Sequence, residues 1–155
     1  MVMTPRVYID TSVIGGCLDE EFQDHSERLF TDFDTGRLRS VISNITIAEI
    51  LEAHEEVRSL LDRSAIQKAE KVFLNEEATL LADAYIQEGA VNEAHRVDAQ
   101  HIAIATIERV DILVSWNFQH IVKWSRIRAF NAVNLKRGYP QLEIRSPQEV
   151  YYEEG

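Results

Sequence analysis

Apolar and polar residues alternate along the chain in a way that predicts short strands separated by helices. Arg6-Val7-Tyr8-Ile9-Asp10 is rich in β-branched and aromatic residues and ends on an acid, as a short buried strand does. Thr11, Ser12 and then Gly15-Gly16 follow. Phe22, Leu29, Phe30 and Phe33 give residues 19–34 a partly helical apolar side, and Gly36 supplies a stop. Leu38 to Ser43 reads as a second strand. Ile47, Ile50, Leu51, His54, Val57 and Leu61 recur at helical spacing, and Ile66, Ala69 and Phe73 continue it. Ala78, Leu81, Ala82, Tyr85 and Ile86 form an amphipathic helical stripe that Gly89 ends. Residues 98–106, DAQHIAIAT, predict a buried helix lined by small side chains. Asp111 to Ser115 predicts a third strand, and Leu142 to Arg145 a last short one. This alternation predicts an α/β fold with a mainly parallel sheet.

Composition narrows the picture. The chain has 155 residues, 45% of them hydrophobic, which predicts one domain over residues 1–155 with a sizeable core. No internal repeat or linker is visible. Asp and Glu number 26 against 16 Lys and Arg, a net charge of −10. That charge opposes nonspecific coating of duplex DNA, yet it leaves room for a nucleic-acid enzyme that uses cations locally. Cys17 is the one cysteine, so neither an internal disulfide nor a cysteine zinc cluster forms within the chain. A reducing cytoplasm is the expected location. No apolar run approaches the roughly 20 residues of a membrane span, and Met1 to Ile9 has no signal-peptide core.

Four polar positions gain interest from their places. Asp10 ends the first strand. Glu49 lies near the start of the helix after the second strand. Asp98 opens the small-residue helix, and Asn117 follows the third strand. In a parallel sheet all four can meet at the carboxyl edge, where ligands bind in open α/β folds. Three carboxylates and an amide carbonyl form a hard-oxygen site of the kind Mg²⁺ or Mn²⁺ prefers. Without a cation, clustered carboxylates repel and at least one pKa rises. A divalent ion would relieve that repulsion, activate water and offset charge on a phosphate. Ser12 serves either to hold the site through its hydroxyl or as a turn or cap residue.

The segments YIDTS at 8–12, TIAEI at 46–50, DAQHIAIA at 98–105 and ILVSWNFQHI at 112–121 occur in the order of a PIN domain. From about Val7 to Val150 the chain resembles the small single-domain PIN proteins, many of them VapC-type toxins of toxin–antitoxin pairs. The resemblance implies a three-layer α/β/α sandwich with a mainly parallel central sheet and a metal-dependent ribonuclease site. It places Asp10, Glu49 and Asp98 at the three main acidic positions, as catalytic residues and ligands of Mg²⁺ or Mn²⁺. The fourth position commonly carries Asp in a Thr-x-Asp pattern; here the stretch reads Ser115-Trp116-Asn117. Asn117 offers a carbonyl oxygen to a metal but no charge. The resemblance also implies an RNA substrate, a small antitoxin partner and a homodimer, with the helices around 47–86 as one source of an interface.

Each residue also has a plain structural reading. Asp10 alone is a turn acid, Glu49 a solvated helix residue, Asp98 a helix N-cap and Asn117 a cap for a helix starting at Phe118. His101, in a very apolar helix, reads as a packed, hydrogen-bonded core histidine. His120, three residues past Asn117, is a candidate substrate contact at the rim. Lys123, Trp124, Arg126 and Arg128 lie in an acid-free basic stretch. Such a stretch suits a single-stranded backbone and its bases, or an exposed helix with snorkelling side chains. The main expectation is an endoribonuclease. The rival is a weak or inactive PIN-fold protein that binds RNA or protein, motivated by Asn117. A phosphatase of the haloacid dehalogenase type would want a second Asp two residues after Asp10, where Ser12 stands.

Overall fold

The computed structural model of the protein describes residues 3–150. β1 (Arg6–Ile9), β2 (Arg39–Ser43), β3 (Glu70–Val72), β4 (Ile112–Val114) and β5 (Ile144–Arg145) form a five-stranded sheet. Its order is β3-β2-β1-β4-β5, and every pairing is parallel. β1 is central, with Tyr8 opposite Val41 on one side and Leu113 on the other.

The pleat sends alternate residues to two cores. Tyr8, Val41, Val72 and Leu113 face one layer. That layer is built by α6 (Glu76–Gln87), α7 (Arg96–Ile107) and α8 (Trp124–Lys136). Val7, Ile9, Ile42 and Val114 face the other, which holds α1 (Thr11–Gly16), α2 (Gln23–Asp34), α3 (Asn44–Leu51) and α5 (Ser64–Gln67). The result is a three-layer α/β/α sandwich. Because both faces are covered, the central strands are apolar on both sides: Val7, Tyr8 and Ile9 are fully buried.

The helix ends at 36 and 89 follow from glycine. Gly36 has φ +79° and Gly89 φ +81°, the left-handed region in which other side chains are strained.

The stretch from 47 to 73 differs from the continuous helical pattern. α3 stops at Leu51, and His54 is extended before the one-turn α4 (Glu55–Arg58) and a 3₁₀ turn (Ser59–Asp62). The chain bends so that Leu60, Ala65 and Ile66 reach the core beneath α2. α5 then ends where the Lys71 ammonium donates to the carbonyls of Ile66, Gln67 and Ala69. β3 follows at once, so Val72 is buried while Phe73 is 64% exposed. β3 was hidden in the sequence because three residues are too few to display a period.

Glu70 on β3 receives two bonds from the Arg6 guanidinium, at 3.0 and 2.6 Å. This pair spans β2 and ties the edge strand to the centre. No helix among the described residues is long and apolar enough to cross a membrane.

Candidate active site

Asp10 follows the last residue of β1 and caps α1. Its Oδ1 accepts the Val13 amide at 3.3 Å and the Ser12 hydroxyl at 2.6 Å. Its Oδ2 accepts the Ser115 hydroxyl at 2.6 Å. Ser115 follows β4, so two neighbouring strands deliver a carboxylate and its orienting hydroxyl to the same edge. Ser12 also accepts the Trp116 amide at 2.9 Å, which links the start of α1 to the chain just after β4. Asp10 is only 4% exposed. Burial raises its pKa, opposed by the His101 charge and by the bonds from Ser115, Ser12 and Val13.

Asp98 is the third residue of α7 rather than its N-cap, which is His95. Asn117 Nδ2 stands 3.4 Å from Asp98 Oδ2, and His95 Nδ1 lies 3.8 Å from the same oxygen. Burial raises the Asp98 pKa, and the Asp10 charge raises it further, while His101, His120 and His95 oppose the rise. Two carboxylates from β1 and α7 thus repel across the edge of the sheet.

Glu49 projects from α3. Its Oε1 accepts the Thr11 hydroxyl at 2.7 Å and pairs with His101 Nε2 at 2.8 Å. Burial pushes its pKa up, but the His101 bond and charge and the Thr11 bond prevail and hold it below the usual range.

His101 is 2% exposed. Its Nδ1 lies 2.6 Å from the Tyr8 hydroxyl, which lies 2.7 Å from Ser43 Oγ. Burial opposes a charge on the ring, yet Tyr8, Glu49 and Asp10 outweigh it and raise the pKa to about 10. A cationic ring donates from both nitrogens, which satisfies Tyr8 and Glu49 together. His101 is thus the packed, hydrogen-bonded core histidine expected from its apolar helix, and its raised pKa favours the charged ring beside Glu49.

Asn117 Oδ1 accepts the Gln119 and His120 amides at 3.2 and 3.0 Å. Its carbonyl closes a turn, and its amide faces Asp98. The His120 ring stacks on His95 with centroids 3.5 Å apart, and its buried Nδ1 has no partner among the described residues. His120 therefore borders Asp98 through His95.

The basic residues of α8 stand apart. Arg126 donates to the Ala90 carbonyl at 2.8 Å. The Arg128 guanidinium lies 4.7 Å from the centre of the Trp124 ring, which is 71% exposed. Lys123 is exposed just before α8. No hydrogen bond or ion pair among the described residues joins these four to the carboxylates.

Among the described residues, no group of three His, Cys, Asp or Glu side chains is gathered as ligands for one ion. Mg²⁺ needs fewer, because it keeps several waters and is commonly held by one or two carboxylates. Asp10 and Asp98 are oxygen donors of that kind, and a cation between them would lift their mutual penalty. Glu49 holds Thr11 and His101 through Oε1 alone, which leaves its second carboxylate oxygen as a further donor. The residues that sequence reasoning did not assign to the site are Thr11, His95, His101 and Ser115. Thr11 and Ser115 carried a signal, since Thr11 adjoins Asp10 and Ser115 opens the Ser115-Trp116-Asn117 stretch.

No family model matches the sequence, and no curated protein matches it. Solved structures do. VapBC2 from Rickettsia felis, bound to a DNA fragment from the promoter, matches with a TM-score of 0.58 and 15% identity, covering 91% of this chain and 98% of that one. FitAcB from Neisseria gonorrhoeae matches with a TM-score of 0.60 and 13% identity, covering 93% and 99%. VapC20 from Mycobacterium tuberculosis, a toxin that cleaves the Sarcin-Ricin loop, matches with a TM-score of 0.57 and 14% identity, covering 88% and 98%. At these identities the likeness is one of fold: the three-layer α/β/α sandwich of this chain is the fold of the VapBC2, FitAcB and VapC20 structures.

Proposed function

We propose that the protein is a metal-dependent endoribonuclease in which Asp10 and Asp98 hold Mg²⁺ or Mn²⁺. The observation that carries the reading is the placement of two buried or half-buried carboxylates at the carboxyl edge of the sheet, where burial raises the pKa of each and the Asp10 charge adds to the rise at Asp98. A divalent ion, when bound, supplies the positive charge that activates water and offsets charge on a phosphate. The chain's own residues prepare the place. Ser12 and Ser115 orient Asp10, and the Asn117 amide orients Asp98. Glu49, with its lowered pKa, is a weak base at neutral pH. Its part is electrostatic, and His101 and Thr11 keep it in position.

The structural neighbours that are toxins or toxin–antitoxin complexes support a toxin role with a small antitoxin as partner. A short reading frame beside the gene, whose product relieves growth arrest by this chain, would be the expected finding. Exposed Leu51, Phe73 and Leu80 give the 47–86 stretch an apolar surface for a second copy, which sedimentation would detect as a dimer.

A second reading, a weak or inactive fold used for binding, draws on Asn117. It brings no charge, and its carbonyl is spent on a turn.

The test is cleavage of a mixed RNA pool with Mn²⁺, with Mg²⁺ and with chelator, beside Asp10→Asn. The reading expects metal-dependent cleavage that falls by at least about 10²-fold in the variant, the scale of losing one electrostatic stabiliser. Equal cleavage by parent and variant would refute the site. Absence of both cleavage and Mn²⁺ binding would favour the binding module.

A further inference from the structure

We infer that the cleft beside the carboxylates is a subsite for one unpaired nucleobase, selective for bases that carry an amino group. This rests on the nuclease reading for its biological setting, though not for its test. The cleft has a volume of about 450 Å³ and is bordered by Gly15, Phe22, Trp116, Asp19, Ser12 and Asn117. A base with its ribose fits such a space, and protein sites for single strands use aromatic walls in this way.

Four observations converge on it. First, the wall is aromatic and braced. Phe22 stacks on Trp116 at 4.2 Å, and the Trp116 indole donates to Ser26 Oγ at 2.8 Å. Second, the cleft is continuous with the carboxylates. Ser12 donates to Asp10, and Asn117 faces Asp98, so a base here belongs to a nucleotide whose phosphate reaches the acids. Third, Gly15 has no structural reason to be glycine. It lies in α1 outside the left-handed region, and an added Cβ would meet nothing within 4 Å. Glycine disfavours a helix, and here its effect is to leave the cleft open. The adjacent Gly16 differs, because its Cβ would strike Ser26 and Trp116. Fourth, the polar rim is an acceptor. Asp19 uses Oδ1 to accept the Glu21 amide, and an ionised carboxylate has further acceptor sites. That suits the amino groups of adenine, cytosine and guanine, whereas uracil has none.

The probes are AMP, CMP, GMP and UMP, with ribose 5-phosphate as the control lacking a base. Trp124→Phe leaves Trp116 as the only indole, and its fluorescence is followed without divalent ions. The amino-bearing nucleotides should quench it at lower concentration than UMP, and ribose 5-phosphate should not quench it. Gly15→Leu fills the cleft and should weaken binding at least roughly tenfold, the scale of one stacked base. Thermal unfolding of Gly15→Leu and Gly15→Ala checks the fold, and both should melt no lower than the parent. Quenching that is equal for ribose 5-phosphate, or absent for all nucleotides, overturns the subsite. Quenching unchanged in a folded Gly15→Leu does the same. Quenching that persists in a protein that neither cleaves RNA nor binds Mn²⁺ counts against the nuclease and leaves the subsite standing. Unchanged cut positions in an active Gly15→Leu refute the subsite and leave the nuclease.

Discussion

Removing the His101 imidazole separates two views of Glu49. In the structure His101 and Thr11 hold Glu49 through Oε1, and the four-ligand site read from sequence assigns the same carboxylate to a metal. His101→Ala deletes the 2.8 Å bond to Glu49 and the 2.6 Å contact with Tyr8. A hydrogen bond to a charged group contributes roughly 1.5–3 kcal/mol. The Glu49 side chain is 39% exposed, so solvent screening brings the value to about 1–2 kcal/mol. The Tyr8 bond adds about 1 kcal/mol, and the vacated ring leaves a cavity in a fully packed layer. The total loss should be about 3–5 kcal/mol, as for other large-to-small core changes. A double-mutant cycle with Glu49→Ala, read by urea unfolding at neutral pH without metal, isolates the pair. It should return a coupling of about 1–2 kcal/mol. Mn²⁺ titration of the single variants completes the test. Glu49→Ala should weaken binding less than Asp10→Asn or Asp98→Asn does. A coupling near zero, or Mn²⁺ affinity lost as fully in Glu49→Ala as in Asp10→Asn, would refute the reasoning.

Two further outcomes are expected. Gly16→Ala places a Cβ 2.5 Å from Ser26 Oγ and 2.8 Å from Trp116 Nε1; overpacking of this kind should destabilise the fold by about 1–3 kcal/mol, with a matching drop in the urea midpoint. Glu70 has a pKa lowered chiefly by its hydrogen bond with Arg6, so its stabilisation is present above its unfolded value and fades as pH falls through the folded one. Glu70→Gln should therefore destabilise by up to about 1 kcal/mol at neutral pH, and the difference from the parent should close in acid; a gap that widens as pH falls would contradict the assignment.

Local chemistry made much of the site legible. The β-branched run into Asp10 announces a buried strand ending on an acid, because the side-chain period of two and the composition are properties of the segment itself. The stripe ending at Gly89 is legible for the same reason, since helical periodicity and a left-handed stop are local. Asp98 and Asn117 follow from their places on such elements. Tertiary structure decided what local pattern does not encode. Parallel strands are joined by crossovers, so the order β3-β2-β1-β4-β5 depends on how helices pack over both faces. β3 emerged from a helical-looking stretch because Val72 completes the edge of the sheet and Lys71 ends the helix before it. His101 and Glu49 are 52 residues apart, and Tyr8 and His101 are 93 apart. Composition named His101 a core residue, but only the meeting of β1, α3 and α7 raises its pKa and sets it beside one of the site's acids.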